Sequence, residues 1–222
     1  MEFRLDAVIG DLPSLLIGVP LTLGLTIAAF LIGTMLALPL ALVRIARVPV
    51  ASQIALGWIE FFRTTPPLVH LVWAYYALPM LLDVRLSAFT VVAGALAFSV
   101  SAQMAEIFRG GILAVPSGQT DAARVLGLPA RSRLFEVVLP QALRLMLAPG
   151  CNTLVTTLKQ SSLAAVIALP ELMNRGQILS AETFRPLEVL TLVAAIYLVL
   201  TYPLVLLSAS LERRSGAAFR ID

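Results

Sequence analysis

The chain has one cysteine, Cys151, so no intramolecular disulfide framework can form. That residue sits in an apolar run, where a small buried hydrophobe is the expected role. There is also a single histidine, His70, inside another apolar run. One His and one Cys do not make the ligand set of a transition-metal centre, and no metal is expected. Charge is scarce as well: 13% of residues are charged, against about 25% in soluble domains. No G-x-x-x-x-G-K-[ST] stretch occurs, so nucleotide hydrolysis is not expected of this chain, which is not read as an enzyme. No internal repeat or low-complexity segment is visible. The lack of an inverted repeat argues against several secondary-carrier folds.

What is present points to lipid as the solvent. Hydrophobic residues make up 59% of 222 residues and the mean hydropathy is +0.93. Soluble domains are about 45–50% apolar. So much apolar surface exceeds what one aqueous core of this length can hide. The net charge of +3 does not imply a nucleic-acid partner, because the basic residues are distributed among loops between apolar segments.

A spanning helix needs about 20 largely apolar residues. Five stretches qualify: 12–43, 54–82, 86–108, 142–169 and 187–211. The expectation is an all-α membrane protein with five transmembrane helices in a single domain, 1–222. Pro20 and Pro39 predict tilt or kinks in the first stretch, and Pro66-Pro67 a kink at the start of the second. The segment before the first stretch carries Glu2, Arg4, Asp6 and Asp11 rather than a basic run, so that stretch is read as a retained helix.

Orientation follows from the basic residues. With the N-terminus outside, Arg44, Arg47, Arg63, Arg109, Arg124, Arg131, Arg133, Arg144, Arg213, Arg214 and Arg220 fall inside. Arg4, Arg85, Arg175 and Arg185 fall outside. The C-terminus is then cytoplasmic, as is the longest polar stretch, the loop over about 109–140.

That loop reads as two short helices. Ser117 or Thr120 is the expected cap of the first, with Asp121 near its positive end. Ala122, Val125 and Leu126 share one face, and Gly127 follows as a C′ residue. Pro129 opens the second helix, which is expected to end before Pro140. Helices this short are marginal alone, so each must pack against something: the chain's own membrane domain, or a cytoplasmic partner.

The loop resembles the signature of ABC-importer permeases, in which Glu-Ala-Ala, three residues, Gly, nine residues and Ile-x-Leu-Pro succeed one another. Here Asp121-Ala122-Ala123, Gly127 and Val137-Val138-Leu139-Pro140 keep that spacing, with Asp for Glu and Val for Ile. The rest of the chain is similar to the polar amino-acid subfamily, the histidine, glutamine and arginine type. Its E-x-F-R-G-T-P-x-L segment is matched at 60–68, its A-E-x-x-R-G-G-I segment at 105–112, and its K-D-T-S-L segment at 159–163. The resemblance implies a type I importer permease fold in a bacterial inner membrane. It implies ATPase docking through Asp121, Ala122, Ala123, Gly127, Leu139 and Pro140. The implied partners are a cytoplasmic ABC ATPase dimer, which would hold the ATP and Mg, a second permease subunit, identical or homologous, an external amino-acid-binding protein, and membrane lipid. No cofactor is expected on this chain.

Polar residues within apolar stretches are the candidate substrate groups, because each is costly in a bilayer. Asn152, Thr156 and Lys159 share a helix face by i, i+4, i+7 spacing, and Gln160 and Ser161 follow. Ser99, Gln103 and Glu106 repeat the pattern one stretch earlier. A lysine at mid-bilayer costs roughly 2.5–3.5 kcal/mol. Two readings of Lys159 stand, a pathway site or a side chain reaching the outer headgroups. For the polar stripes, interhelical hydrogen bonding is the alternative. Glu106 and Arg109 are expected to form an i, i+3 ion pair, and His70 to be a satisfied packing residue. Gln160 stands where the subfamily has Asp, which argues against a strongly cationic substrate. A stand-alone channel or secondary carrier for small polar solutes is the alternative function, and it leaves the loop signature without a purpose.

Overall fold

In a computed structural model, residues 3–83 and 86–218 are described. Arg85, Arg220 and Glu2 from the charge reading lie outside them. Among the described residues the regular elements are all helices: α1 (Asp6–Ile9), α2 (Leu12–Leu16), α3 (Val19–Ala46), α4 (Pro49–Thr64), α5 (Pro67–Leu82), α6 (Ala88–Leu113), α7 (Ser117–Val125), α8 (Ala130–Ser132), α9 (Leu139–Gln160), α10 (Leu172–Thr183) and α11 (Pro186–Ala218). A π-helical turn, Arg133–Val138, joins α8 to α9, and a 3₁₀ segment, Ser161–Ile167, follows α9.

Among the described residues, four helical segments are long and apolar enough to cross a bilayer: Leu12–Ala46, Ala88–Leu113, Ala130–Ile167 and Pro186–Arg213. The second predicted stretch is divided. Thr65 and Pro66 are extended, with ψ of 135° and 133°, so α4 and α5 are separate 16-residue helices. The cause is the Pro66-Pro67 pair: each proline drives the residue before it out of the helical region. The break therefore falls in the middle of the apolar stretch rather than at its start. Pro39 is accommodated inside the 28-residue α3, and Pro20 occupies its first turn.

The centre of the molecule is the α3–α6 pair. Gly33 makes it possible: a Cβ there would lie 2.6 Å from the Ala97 carbonyl oxygen and 2.6 Å from Val100 Cβ. Small residues let helix backbones approach closely where lipid supplies no hydrophobic drive between helices. Around this seam Leu25, Ala29, Val92 and Leu96 form one buried cluster, and Ala37, Ala41, Val100 and Ala105 another. A third cluster packs Val8 and Leu15 against Leu172, Leu179, Val189 and Val193, joining the N-terminal turns to α10 and α11. Outward, Leu31, Met35, Met80, Leu198 and Val199 are exposed, as bilayer-facing side chains are.

Candidate functional site

The first candidate is the loop after α6. Val115 is buried and Pro116 breaks the helix, so α7 starts at Ser117 with Pro116 at the cap position. No side chain caps it. Neither Ser117 nor Thr120 has the expected role, because Pro116 already holds the extended geometry and Ser117 lies within the helix. At the other end Gly127 adopts φ +76°, its N–H donates to the Arg124 carbonyl, and the Leu128 N–H donates to the Ala123 carbonyl. This is a left-handed helix stop that favours glycine. A Cβ at Gly127 would meet nothing within 4 Å, so backbone conformation, not space, asks for glycine there.

The expected end before Pro140 is not found. Leu139 is helical, and the chain runs from the π-helical turn straight into α9 with Pro140 in its first turn. The wider π turn absorbs the missing proline N–H, so the second loop helix and the next spanning helix form one rod. α7 packs against that turn. Ala123, 4% exposed, is the one buried residue of α7, while Val125 (88%) and Leu126 (78%) project into open space. Ala122 is exposed beside them, Asp121 pairs with Arg124 at 3.2 Å, Leu139 is half-buried and Pro140 exposed. The loop thus presents two bare aliphatic side chains on a short helix braced against a spanning rod.

Beside the loop, Glu106 does pair with Arg109, accepting from Nη2 at 2.7 Å and Nε at 3.0 Å. Arg44, from the end of α3, approaches the same carboxylate at 3.6 Å. Glu106 is therefore engaged in tying α3 to α6.

The second candidate is the polar stretch of α9. Asn152, Thr156 and Lys159 all lie on its exposed side. Asn152 Oδ1 accepts from Ser208 Oγ on α11 at 2.9 Å, and Ser208 Oγ also approaches the Ala148 carbonyl at 3.1 Å. Thr156 Oγ1 donates to the Asn152 carbonyl. Gln160 is half-buried, and its Oε1 has no partner among the described residues. Ser161 is fully buried and donates to the Leu158 carbonyl, so it faces the chain interior. Ser99 is likewise fully buried, its hydroxyl without a partner among the described residues, while Gln103 is half-buried. α6 packs against α9, with Met104 beside Gly150 and Met146 beside Gly111.

Lys159 and Ser162 line a crevice with Met173, Val193 and Tyr197. Behind its wall lies a carboxylate that the sequence reading missed. Glu171 is fully buried. It accepts from the Met173 and Asn174 N–H groups at 2.9 and 2.7 Å, and from Tyr197 Oη at 2.9 Å. Burial pushes its carboxyl up from the usual carboxylate range, against the pull of the two N–H groups and Tyr197. Thr22 of α3 lies 3.5 Å from the same carboxylate and accepts from the Leu172 N–H at 3.1 Å. An acidic residue directly after Leu169-Pro170 and before a helix is an N-cap signal that was available in the sequence.

His70 is buried (8% exposed) between Phe61 and Phe62, with ring centroids at 5.1 and 4.7 Å. It packs, but neither ring nitrogen has a partner among the described residues, so it is not satisfied as expected. Trp58 packs on Phe62 and Phe98 and donates to Ser101 Oγ at 3.0 Å. No cluster of three potential metal ligands occurs among the described residues.

The architecture is shared with known proteins. A solved amino-acid ABC transporter, described as crystallised with histidines, matches with a TM-score of 0.89 at 34% identity, over 96% of this chain and 100% of that one. A methionine ABC transporter in an inward-facing conformation shares the fold at 19% identity, with a TM-score of 0.75. The octopine transport system permease protein of Rhizobium meliloti is 40% identical over 90% of this chain and 84% of its own length. The glutamine transport system permease protein of Escherichia coli K12 is 35% identical over 96% and 98%, and the arginine counterpart of Bacillus subtilis 32% over 96% and 98%. The model of the binding-protein-dependent transport system inner membrane component matches residues 29–216. A multi-pass helical membrane chain, with an exposed aliphatic ridge on a braced loop, thus belongs to the binding-protein-dependent transport system inner membrane component family, the permease subunits of ABC importers.

Proposed function

We propose that this chain is the membrane-spanning subunit of an ATP-driven amino-acid importer, and that it couples to an ATPase through the 121–140 loop. One observation carries the coupling reading: Val125 and Leu126 stand almost bare in a segment expected to face the cytoplasm. Two adjacent exposed aliphatic side chains on a rigid helix gain most when a partner covers them. The partner is a cytoplasmic ATPase dimer, which supplies ATP and Mg. A second permease subunit and an external binding protein complete the assembly in a bacterial inner membrane.

In this reading α4 and α5 form one crossing interrupted at Thr65-Pro66. The chain then has five crossings, an external N-terminus and a cytoplasmic C-terminus, as its arginines favour. The whole of 1–222 acts as one domain. The open polar stripe of Asn152, Thr156 and Lys159, with half-buried Gln160 at its end, faces the translocation pathway, since exposure of those groups to lipid would be costly. Buried Ser161 supports that wall rather than touches the solute, while on α6 Ser99 is buried and Glu106 ties α3 to α6. The named relatives carry octopine, glutamine and arginine. With Gln160 in place of a carboxylate, a neutral or acidic amino acid or an opine is favoured over a strongly basic one.

Reconstitution with the ATPase and binding protein in proteoliposomes tests this. Uptake of radiolabelled glutamine or octopine should require ATP and stop without the ATPase. Uptake by the chain alone, driven only by a solute or ion gradient, would support the carrier alternative instead.

A further inference from the structure

We propose that the groove between α5 and α6 is a binding site for one acyl chain of a membrane lipid. The groove has a volume of about 630 Å³, inside the range of about 300–1,000 Å³ that ligand pockets occupy. Val69, Trp73 and Leu78 of α5 line one side of it, and Val91, Gly94 and Phe98 of α6 the other. At about 1.5 Å per residue, Val69 to Leu78 covers about 13 Å, so the groove is drawn out along the helices. α6 is long and apolar enough to cross a bilayer, and α5 is an apolar helix beside it. The groove therefore runs in the direction of the lipid tails.

Its chemistry excludes the transported solute. The lining is almost wholly apolar. Of its polar side chains, Thr90 is paired with Ser87 Oγ at 2.8 Å, and both ring nitrogens of His70 are enclosed rather than offered to the groove. An amino acid would lose its hydration there and find almost nothing to bond. An empty groove is no better, because each wall forfeits its dispersion contacts. The shape also disfavours a partner helix. Helices in lipid meet through small residues that let their backbones approach. Here Phe61 (55% exposed), Trp73 (55%) and Phe98 (38%) stand along the groove and would hold a second helix off. Between them the groove reaches the α6 backbone at Gly94, where an added Cβ would meet nothing within 4 Å. A slot with bulky rims and a bare glycine inside takes a thin, flexible apolar chain. Thr65 lines it too, so a seated chain fills the α5–α6 seam beside the α4–α5 break.

The test uses the permease–ATPase complex in phosphatidylcholine vesicles. A small fraction of the lipid carries a photoactivatable diazirine midway along one acyl chain, and labelled positions are read by peptide mass spectrometry. Leu198 and Val199 on α11, which are exposed, report contact with bulk lipid. In the wild type the label should concentrate several-fold at 69–78 and 90–98 over its level at α11. Gly94→Phe fills the groove from within, and should lose most of the groove label while keeping that at α11. Gly94→Ala, which leaves most of the space open, should keep both. Groove label no higher than that at α11, or unaltered by Gly94→Phe, would overturn the proposal. A groove without label beside a labelled α11 would also overturn it, and would give the groove to the second permease subunit. Displacement of the groove label by glutamine or octopine would overturn it in favour of the translocation pathway. Should Gly94→Phe fail to assemble, the wild-type distribution and its response to those solutes decide.

Discussion

Replacing Val125 and Leu126 by alanine is the most informative surface change. Both side chains are almost wholly exposed, so the truncation removes nothing the isolated permease uses. Surface substitutions of this kind shift stability by about 0.5 kcal/mol or less. In a complex that buries them, the loss is larger. Val→Ala removes two methyl-sized groups and Leu→Ala three carbon groups, at about 0.8 kcal/mol each. The double variant should then forfeit about 4 kcal/mol per docking site, or roughly three decades in dissociation constant. Detergent thermal denaturation of the permease alone reads the first quantity. Titration of immobilised permease with soluble ATPase reads the second. Unchanged ATPase affinity alongside unchanged stability would refute the docking role of this ridge. Equal loss of stability and affinity would show that the ridge packs on the permease itself.

Other outcomes follow from the same geometry. Gly33→Val should destabilise the chain by about 3 kcal/mol or more, because its Cβ meets the Ala97 carbonyl, which cannot move without parting α3 from α6; a melting temperature in detergent within a degree or two of wild type would refute the close seam. Glu106→Gln should cost about 1.5–3 kcal/mol, leaving Arg44 and Arg109 facing one another without their shared carboxylate, and Glu106→Asp should recover part of it in the same melting assay. Ser208→Ala should loosen the α9–α11 contact at Asn152 by about 1 kcal/mol, read as faster local hydrogen exchange in α11 around residue 208.

Much of this arrangement was legible in local sequence chemistry. Gly127 announced a left-handed helix stop because only its own backbone is involved, and the Glu106–Arg109 pair needed only i, i+3 spacing. Pro140 misled, because its effect depends on whether the preceding turn can widen, as it does in the π turn at Arg133–Val138. Pro66-Pro67 marked a break correctly, but the extent of helix before it, from Pro49, could not be separated from the apolar run by composition. Asn152 and Thr156 shared a face as expected. That Asn152 would meet Ser208, 56 residues away, depends on helix packing that no window of sequence contains. Glu171 was passed over for a related reason: beside Pro170 it looks like a loop carboxylate, and only the convergence of Thr22 and Tyr197 from distant helices buries it.

Coupling through the 121–140 loop is tested most directly by co-purification of this chain with its ATPase, using Gly127→Asp beside the wild type. At φ +76° with nothing within 4 Å, the substitution adds a charge and backbone strain at the helix stop without a steric clash. The wild type should hold the ATPase through size exclusion in mild detergent, and the variant should elute alone, equally monodisperse and membrane-inserted. A variant that retains the ATPase and drives normal ATP-dependent uptake would contradict the account.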